Sequence, residues 1–386
     1  MDMKQDSALS VTFIDTNAGL ADALRHLNRQ PVIAADLEAD SMFHFNEQVC
    51  LIQIASREKI YIIDPLPITD MAPLKQIMET AGIRKVFHGA DYDVRSLYRD
   101  FNISIQNLFD TEIASRFLGY AETGLNALIR IHFHVLLEKK FQKKDWSQRP
   151  LPQDMVAYAA DDVRYLITLS ERIESELAEK GRLDWVLEEC EALSNVRPEP
   201  ANERPLFLRL KGSGRLDPRS LAVLESLLAM RLEKARRKDR PPFKIMGNAT
   251  LLKLAQMRPR TMEKLEAADL LSRKQVGMYG KSIVQAIKKG AELPGEQLPR
   301  YPRTRRPAQS EAAAKKMQRL KHWRDTEAGR LGIDPGVFFS NARIKAIMDQ
   351  APDSLEALTA VEGIKNWQIR HYGEKLIELV QTREPQ

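Results

Sequence analysis

Four acids and one tyrosine, drawn from three distant stretches of a 386-residue chain, have types and spacings suited to joint chemistry. Asp36 and Glu38 end the apolar run Val32-Ile-Ala-Ala-Asp-Leu-Glu38, which reads as a buried strand. Residues two apart on a strand share a face, so these carboxylates converge while Leu37 turns away. Tyr158 and Asp162 lie four apart in a helical pattern and stack on one side. Asp93 stands between the two stretches, just after the strand-like segment Lys85-Val-Phe-His88. Crowded carboxylates repel one another and are costly to desolvate unless a cation neutralises them. Hard oxygen donors select magnesium or manganese, and such a cluster can hold two ions for phosphodiester chemistry.

These residues need a scaffold. Residues 32–37, 49–55 and 60–63 read as three successive strands, and their short spacers suit an antiparallel meander. A helix over 74–81 precedes a fourth strand around 85–88. Asp91-Tyr-Asp93 opens the next helix with acids in its first turn, where the helix dipole favours them. Helical patterns follow over 124–136, 154–178 and 184–194. Strands and helices mixed in this way predict an α/β domain.

Pro198, Pro200 and Pro205 interrupt helix and mark a linker. The pattern beyond them is helical and repeats at a constant offset of 93 residues: Arg231, Ala235, Pro242, Asn248, Pro259 and Tyr279 recur as Arg324, Ala328, Pro335, Asn341, Pro352 and Tyr372. Two copies of one small helical domain follow from that. Residues 1–200 carry 22 basic and 32 acidic side chains, a net charge of −10; residues 201–386 carry 37 and 21, a net of +16. Such asymmetry directs the C-terminal half toward a polyanion. Basic clusters at 234–240, Arg303-Thr-Arg-Arg306 and Lys315-Lys316 suit a phosphate backbone. Trp323 and Trp367 are candidates for base stacking, whereas Tyr279 and Tyr372, being repeated, read as structural.

Six stretches carry a resemblance: Ala34-Ala-Asp-Leu-Glu-Ala-Asp40, Val49-Cys-Leu-Ile-Gln-Ile54, Lys85-Val-Phe-His-Gly-Ala-Asp-Tyr-Asp93, Phe109-Asp-Thr111, Asp145-Trp-Ser-Gln-Arg-Pro-Leu151 and Tyr158-Ala-Ala-Asp-Asp162. In order and context they resemble the DEDD exonuclease superfamily in its tyrosine-bearing branch. Leu37 departs from the threonine more usual there, but it faces away from the acids. The helical copies resemble the HRDC domain, a nucleic-acid-binding module, and together the resemblances cover nearly the whole chain. They imply an α/β ribonuclease-H-like exonuclease domain over 1–196, followed by all-α HRDC domains over 207–293 and 310–383. Asp36, Glu38, Asp93 and Asp162 are thereby expected to hold two divalent ions, magnesium or manganese, roughly 3.5–4 Å apart. Tyr158 is expected to orient the attacking water. The implied reaction is hydrolysis from the 3′ end to 5′-mononucleotides, on RNA such as tRNA precursors and other structured RNAs. Single-stranded DNA is the alternative substrate. A catalytically silent RNA-binding scaffold is opposed by the presence of all five residues.

Nearby polar residues read otherwise. The resemblance assigns ligation to Asp162 rather than Asp161, and to Asp93 rather than Asp91, which is expected to cap its helix. Asp110 is expected to cap the helix after it, and Asp40 and Asp64 to be solvated. His88 reads as a half-buried, hydrogen-bonded imidazole, and His132 and His134 lack further soft ligands for a metal. The Met42-Phe-His-Phe45 segment suits either stacking on a terminal base or anchoring of a loop.

Cys50 and Cys190 are far apart and form no CxxC pair, which argues against a disulfide framework or zinc site and for a reducing compartment. No apolar run reaches the length of a membrane span, no Walker-type phosphate loop is present, and residues 1–6 show no secretory pattern. The expectation is a cytoplasmic enzyme without membrane partners, with a monomer favoured.

Overall fold

The computed structural model describes residues 9–198, 204–302 and 311–382. Residues 1–6, Pro200 of the linker and the basic cluster 303–306 lie outside the described residues. The N-terminal region builds a six-stranded mixed sheet from β1 (Ser10–Ile14), β2 (Val32–Ala39), β3 (Val49–Ala55), β4 (Lys59–Ile63), β5 (Arg84–Phe87) and β6 (Leu108–Asp110). The strand order is β1-β4-β3-β2-β5-β6. β2, β3 and β4 form the expected antiparallel meander. The other pairings are parallel: β1 with β4, β5 with β2, and β6 with β5. Around the sheet lie α1 (Asn17–Leu27), α2 (Ala72–Met78), α3 (Asp91–Phe101), α4 (Thr111–Leu118), α5 (Leu125–Phe133), α6 (Gln153–Arg164), α7 (Leu166–Glu179) and α8 (Leu183–Ser194). β3 is buried along its whole length, as its almost unbroken apolar sequence requires.

Three elements go beyond the sequence reading: β1, α1 and β6. β1 is a largely exposed edge strand, and β6 has three residues, too few to show alternation. The single helix expected over 154–178 breaks at Tyr165 into α6 and α7. α5 stops earlier than expected because His134 takes the left-handed conformation at its C-cap.

The described residues fall into two compact units. One joins residues 9–39 and 49–198 to the second helical copy, 311–382. The other joins residues 40–48 to the first copy, 204–302. The first copy consists of α9 (Pro218–Arg237), α10 (Pro242–Ile245), α11 (Asn248–Met257), α12 (Met262–Ala267) and α13 (Arg273–Ala291). The second repeats it as α14 (Glu311–Leu331), α15 (Pro335–Phe338), α16 (Asn341–Gln350), α17 (Leu355–Thr359) and α18 (Asn366–Gln381). The repetition extends to individual bonds. Arg231 donates to Met246 O at 3.0 Å and Asn248 Oδ1 at 2.7 Å. Arg324 makes the corresponding bonds to Phe339 O at 3.2 Å and Asn341 Oδ1 at 2.8 Å.

The second copy shares a core with the sheet region. Trp367 is fully buried and stacks on Trp185 of α8, with centroids 4.4 Å apart and planes at 14°. The Glu188 carboxylate accepts from the backbone N–H groups of Asn366 at 2.6 Å and Trp367 at 2.9 Å, capping α18 from another element. Arg182 ties Phe117 O at 2.8 Å to Leu331 O at 2.7 Å. Trp323 packs against Phe338, Phe339 and Tyr372. Trp367 is therefore a packing residue and not a stacking surface for bases, since burial leaves its ring no accessible face. At the repeat offset its counterpart in the first copy is the exposed Lys274. Trp367→Ala should cost about 3–5 kcal/mol of stability in denaturant unfolding, while Lys274→Ala should change it by less than about 0.5 kcal/mol.

Candidate active site

β2 lies between β3 and β5, so its residues are held from both sides. Leu37 is buried in the core, and Asp36 and Glu38 project from the other face. α6 packs across β2, β3 and β4 and carries Tyr158 and Asp162 to the same place. One carboxylate oxygen from each of Asp36, Glu38 and Asp162 lies within 4.8 Å of the other two. Asp93, buried in the first turn of α3, joins their field: the charge of Asp36 raises its carboxyl, and its own charge raises Glu38. The Leu37 N–H partly offsets the rise at both Asp36 and Asp93.

Burial is the main cause of the strain on these groups, and mutual repulsion adds to it. Asp36 is pushed up to about 6. Asp162 reaches about 8, with the charges of Asp36 and Asp161 contributing after burial. Glu38 reaches about 10, raised further by Asp36, Asp162 and Asp93. Tyr158 sits between Phe141, at 5.6 Å, and Trp146, at 6.2 Å. Burial, then the charges of Asp162, Glu38 and Asp36, hold its phenol well above the usual range, so its hydroxyl keeps its proton at neutral pH. Hard oxygen donors crowded in this way, with ionisation opposed, fit a divalent cation.

Two buried acids outside the cluster fasten its parts. Asp110 caps α4, as expected, by accepting from Glu112 N at 2.8 Å and Ile113 N at 3.2 Å. It also accepts from Gly89 N at 3.0 Å and Ala90 N at 2.7 Å, at the start of the helix that carries Asp93. Gly89 turns the chain there with φ of +75°, a conformation that suits glycine. Asp64 receives the Arg149 guanidinium, which also donates to Cys50 O and Trp146 O, each at 2.8 Å. This fixes the loop whose Trp146 lies against Tyr158.

Several expectations are corrected. Asp64 is buried and ion-paired, not solvated. Asp40 is fully buried and accepts from Gln48 N at 2.8 Å. Asp91 does not cap α3: it pairs with Arg95, and Asp110 serves the helix start instead. Asp161 pairs with Arg164 at 2.8 Å. His88 is half-buried and hydrogen-bonded to Thr111, as expected, and burial holds its imidazole below its usual range. His132 contacts the Tyr120 hydroxyl, and His134 is the C-cap of α5. In the unit containing residues 40–48, Phe43 lies under Lys244 at 4.2 Å and Phe45 under Arg236 at 5.4 Å. His44 and the Phe45 N–H both bond Asp239, so this segment is a loop anchor.

A cavity of about 510 Å³ opens from the acids and is lined also by His88, Asn126, Lys139 and Gln142. Sequence reasoning missed the last three, which belong to no recognised motif. Arg149 and Trp146 did lie in one. A larger cavity of about 1160 Å³, beside Phe13 and Leu66, contains none of the four acids.

Comparison with known proteins identifies two families along the chain. The family described as 3'-5' exonuclease matches residues 11–178, and the HRDC domain family matches residues 220–287 and 314–380. Ribonuclease D of Pseudomonas paraeruginosa is 28% identical, covering 97% of this chain and 99% of that protein. Ribonuclease D of Gluconacetobacter diazotrophicus is 31% identical over 74% of each chain. The crystal structure of Escherichia coli RNase D, described as an exoribonuclease involved in structured RNA processing, superimposes with a TM-score of 0.75. It shares 26% identity and covers 97% of this chain and 99% of its own. Sheet, acid cluster and paired helical copies thus define a divalent-metal-dependent 3′–5′ exonuclease with two HRDC domains. The chain belongs to the ribonuclease D family, whose members are 3′–5′ exoribonucleases.

The raised carboxyls make stability depend on pH in a definite sense. Between its unfolded value and its folded value each group holds more proton in the folded state, so stability falls as pH rises through that interval. For Asp36, Asp162 and Glu38 the intervals run from the ordinary carboxylate range to about 6, 8 and 10. In EDTA the thermal midpoint should fall steadily from pH 5 to pH 9. Saturating magnesium should flatten that slope, and equal slopes with and without the ion would contradict the assignment.

Proposed function

We propose that Asp36, Glu38, Asp93 and Asp162 hold two divalent ions, magnesium or manganese, and that the protein trims the 3′ ends of RNA, tRNA precursors and other structured RNAs among them. The observation that carries this reading is the approach of three carboxylate oxygens within 4.8 Å beside a phenol that remains protonated. Divalent ions bound there supply neutralisation of the acids and Lewis acidity toward water and phosphoryl oxygens. Tyr158, its ring fixed by Phe141 and Trp146, keeps its proton and orients the attacking water by hydrogen bonding, without acting as a base. Water oxygen bonds to phosphorus as its proton passes to solvent, the bond to the 3′ oxygen breaks, that oxygen takes a proton from solvent, and a 5′-mononucleotide leaves. Exposed Arg237 and Arg240 of the first helical copy suit an RNA backbone.

The test is incubation of the purified full chain with end-labelled RNA and matched DNA, with magnesium or EDTA, followed by product analysis. The expected result is stepwise release of 5′-mononucleotides from RNA that EDTA abolishes. Asp36→Asn and Asp162→Asn should remove activity, and Tyr158→Phe should lower single-turnover rates by roughly 10²-fold with RNA affinity kept. Faster DNA than RNA degradation would move the substrate assignment to single-stranded DNA.

A further inference from the structure

We infer that His88 is a specificity residue whose Nε2 accepts a hydrogen bond from a ribose hydroxyl of the 3′-terminal nucleotide; this rests on the exonuclease reading of the acid cluster. His88 follows β5 and lines the cavity that contains Asp36, Glu38, Tyr158 and Asp162. Its Nδ1 lies 2.9 Å from Thr111 Oγ1, and that hydroxyl donates to Phe87 O at 3.0 Å. A hydroxyl has one proton to give. Both bonds therefore exist together in the neutral ring only when Nδ1 carries the hydrogen and donates, which leaves the lone pair on Nε2. The His88 lone pair thus lines a space that calls for a donor.

The chemistry of a nucleotide decides what meets it. A terminal nucleotide whose phosphate lies at the acids presents phosphate oxygens, ribose hydroxyls and a base edge. Phosphate oxygens are acceptors and do not match a lone pair on nitrogen. Base edges differ among the four nucleotides, so an enzyme that removes each in turn gains nothing general from them. The ribose hydroxyls are donors common to every ribonucleotide, and the 2′-hydroxyl is absent from DNA. A site built to bond a hydroxyl disfavours the analogue lacking it, because its buried acceptor is left unpaired.

Two substitutions separate the ring's nitrogens. His88→Asn keeps a donor near the Nδ1 position and removes the acceptor at the Nε2 position; His88→Gln places an amide oxygen near Nε2. Calorimetric titration of the full chain with manganese would use AMP, 2′-deoxy-AMP and 3′-deoxy-AMP, products that are not hydrolysed. The wild type should bind AMP roughly three- to tenfold more tightly than at least one deoxy analogue. His88→Asn should bind that analogue and AMP equally, and His88→Gln should retain most of the preference. The same variants should show the same ordering in rates on RNA oligomers ending in the matching nucleotides. Discrimination by His88→Asn equal to wild type, no discrimination by the wild type, or equal loss of affinity for all three ligands would overturn the inference while leaving the exonuclease reading intact. Absence of any mononucleotide release from RNA by the wild type would overturn both.

Discussion

Repulsion among buried carboxylates is the constraint on which this structure turns. Two fully ionised acids at about 4 Å repel by on the order of 4 kcal/mol at the effective dielectric typical of proteins, and three of them here converge within 4.8 Å. An exposed ion pair returns about 0–1 kcal/mol, so no surface pairing offsets the cluster. It is held by the sheet and by protonation or cations. β2 is clamped between β3 and β5, and α6 is packed over three strands, so neither acid-bearing element can withdraw without opening the core. A site that resists its own ionisation in this way is one that a bound cation would relieve.

The acids that do not face the cluster explain why it stays assembled. Asp110 collects four backbone N–H groups and thereby joins the start of α3 to the start of α4. A buried carboxylate with four donors is well satisfied, in contrast to Asp36 and Glu38. Arg149 works across a longer distance in sequence, binding Asp64 and three backbone carbonyls so that Trp146 rests on Tyr158. Satisfied buried charge thus supports unsatisfied buried charge.

This division marks what was legible in the sequence. The β2–β3–β4 meander could be read because buried strands are continuous apolar runs with short spacers. Convergence of Asp36 with Glu38, and of Tyr158 with Asp162, followed from strand and helix periods. β1 and β6 could not be read: one is exposed at an edge and the other too short to carry a period. The burial of Asp64 depends on Arg149, 85 positions away, and that of Asp40 on a backbone N–H across a loop. No local pattern encodes such partners. The His88 bond to Thr111 is similarly non-local, although both residues lay in recognised stretches.

The charge asymmetry of the chain gains a second meaning from the second helical copy. Its Arg343 and Lys365 both approach Glu189 of α8 at 3.7 Å, and the N-terminus of α18 rests on Glu188. Acidic residues of the first half thus meet basic groups of the second within one unit, so part of the +16 answers the −10 internally. The repeat shows the same conclusion by substitution. Where the second copy has the buried Trp367, the first has the exposed Lys274, and where the second has Leu331, the first has the exposed Lys238. One helical fold therefore carries apolar residues where it must share a core and lysines where it meets solvent. The basic excess that remains available to a polyanion belongs disproportionately to the first copy, and a count of charges over the whole half overstates what the second contributes.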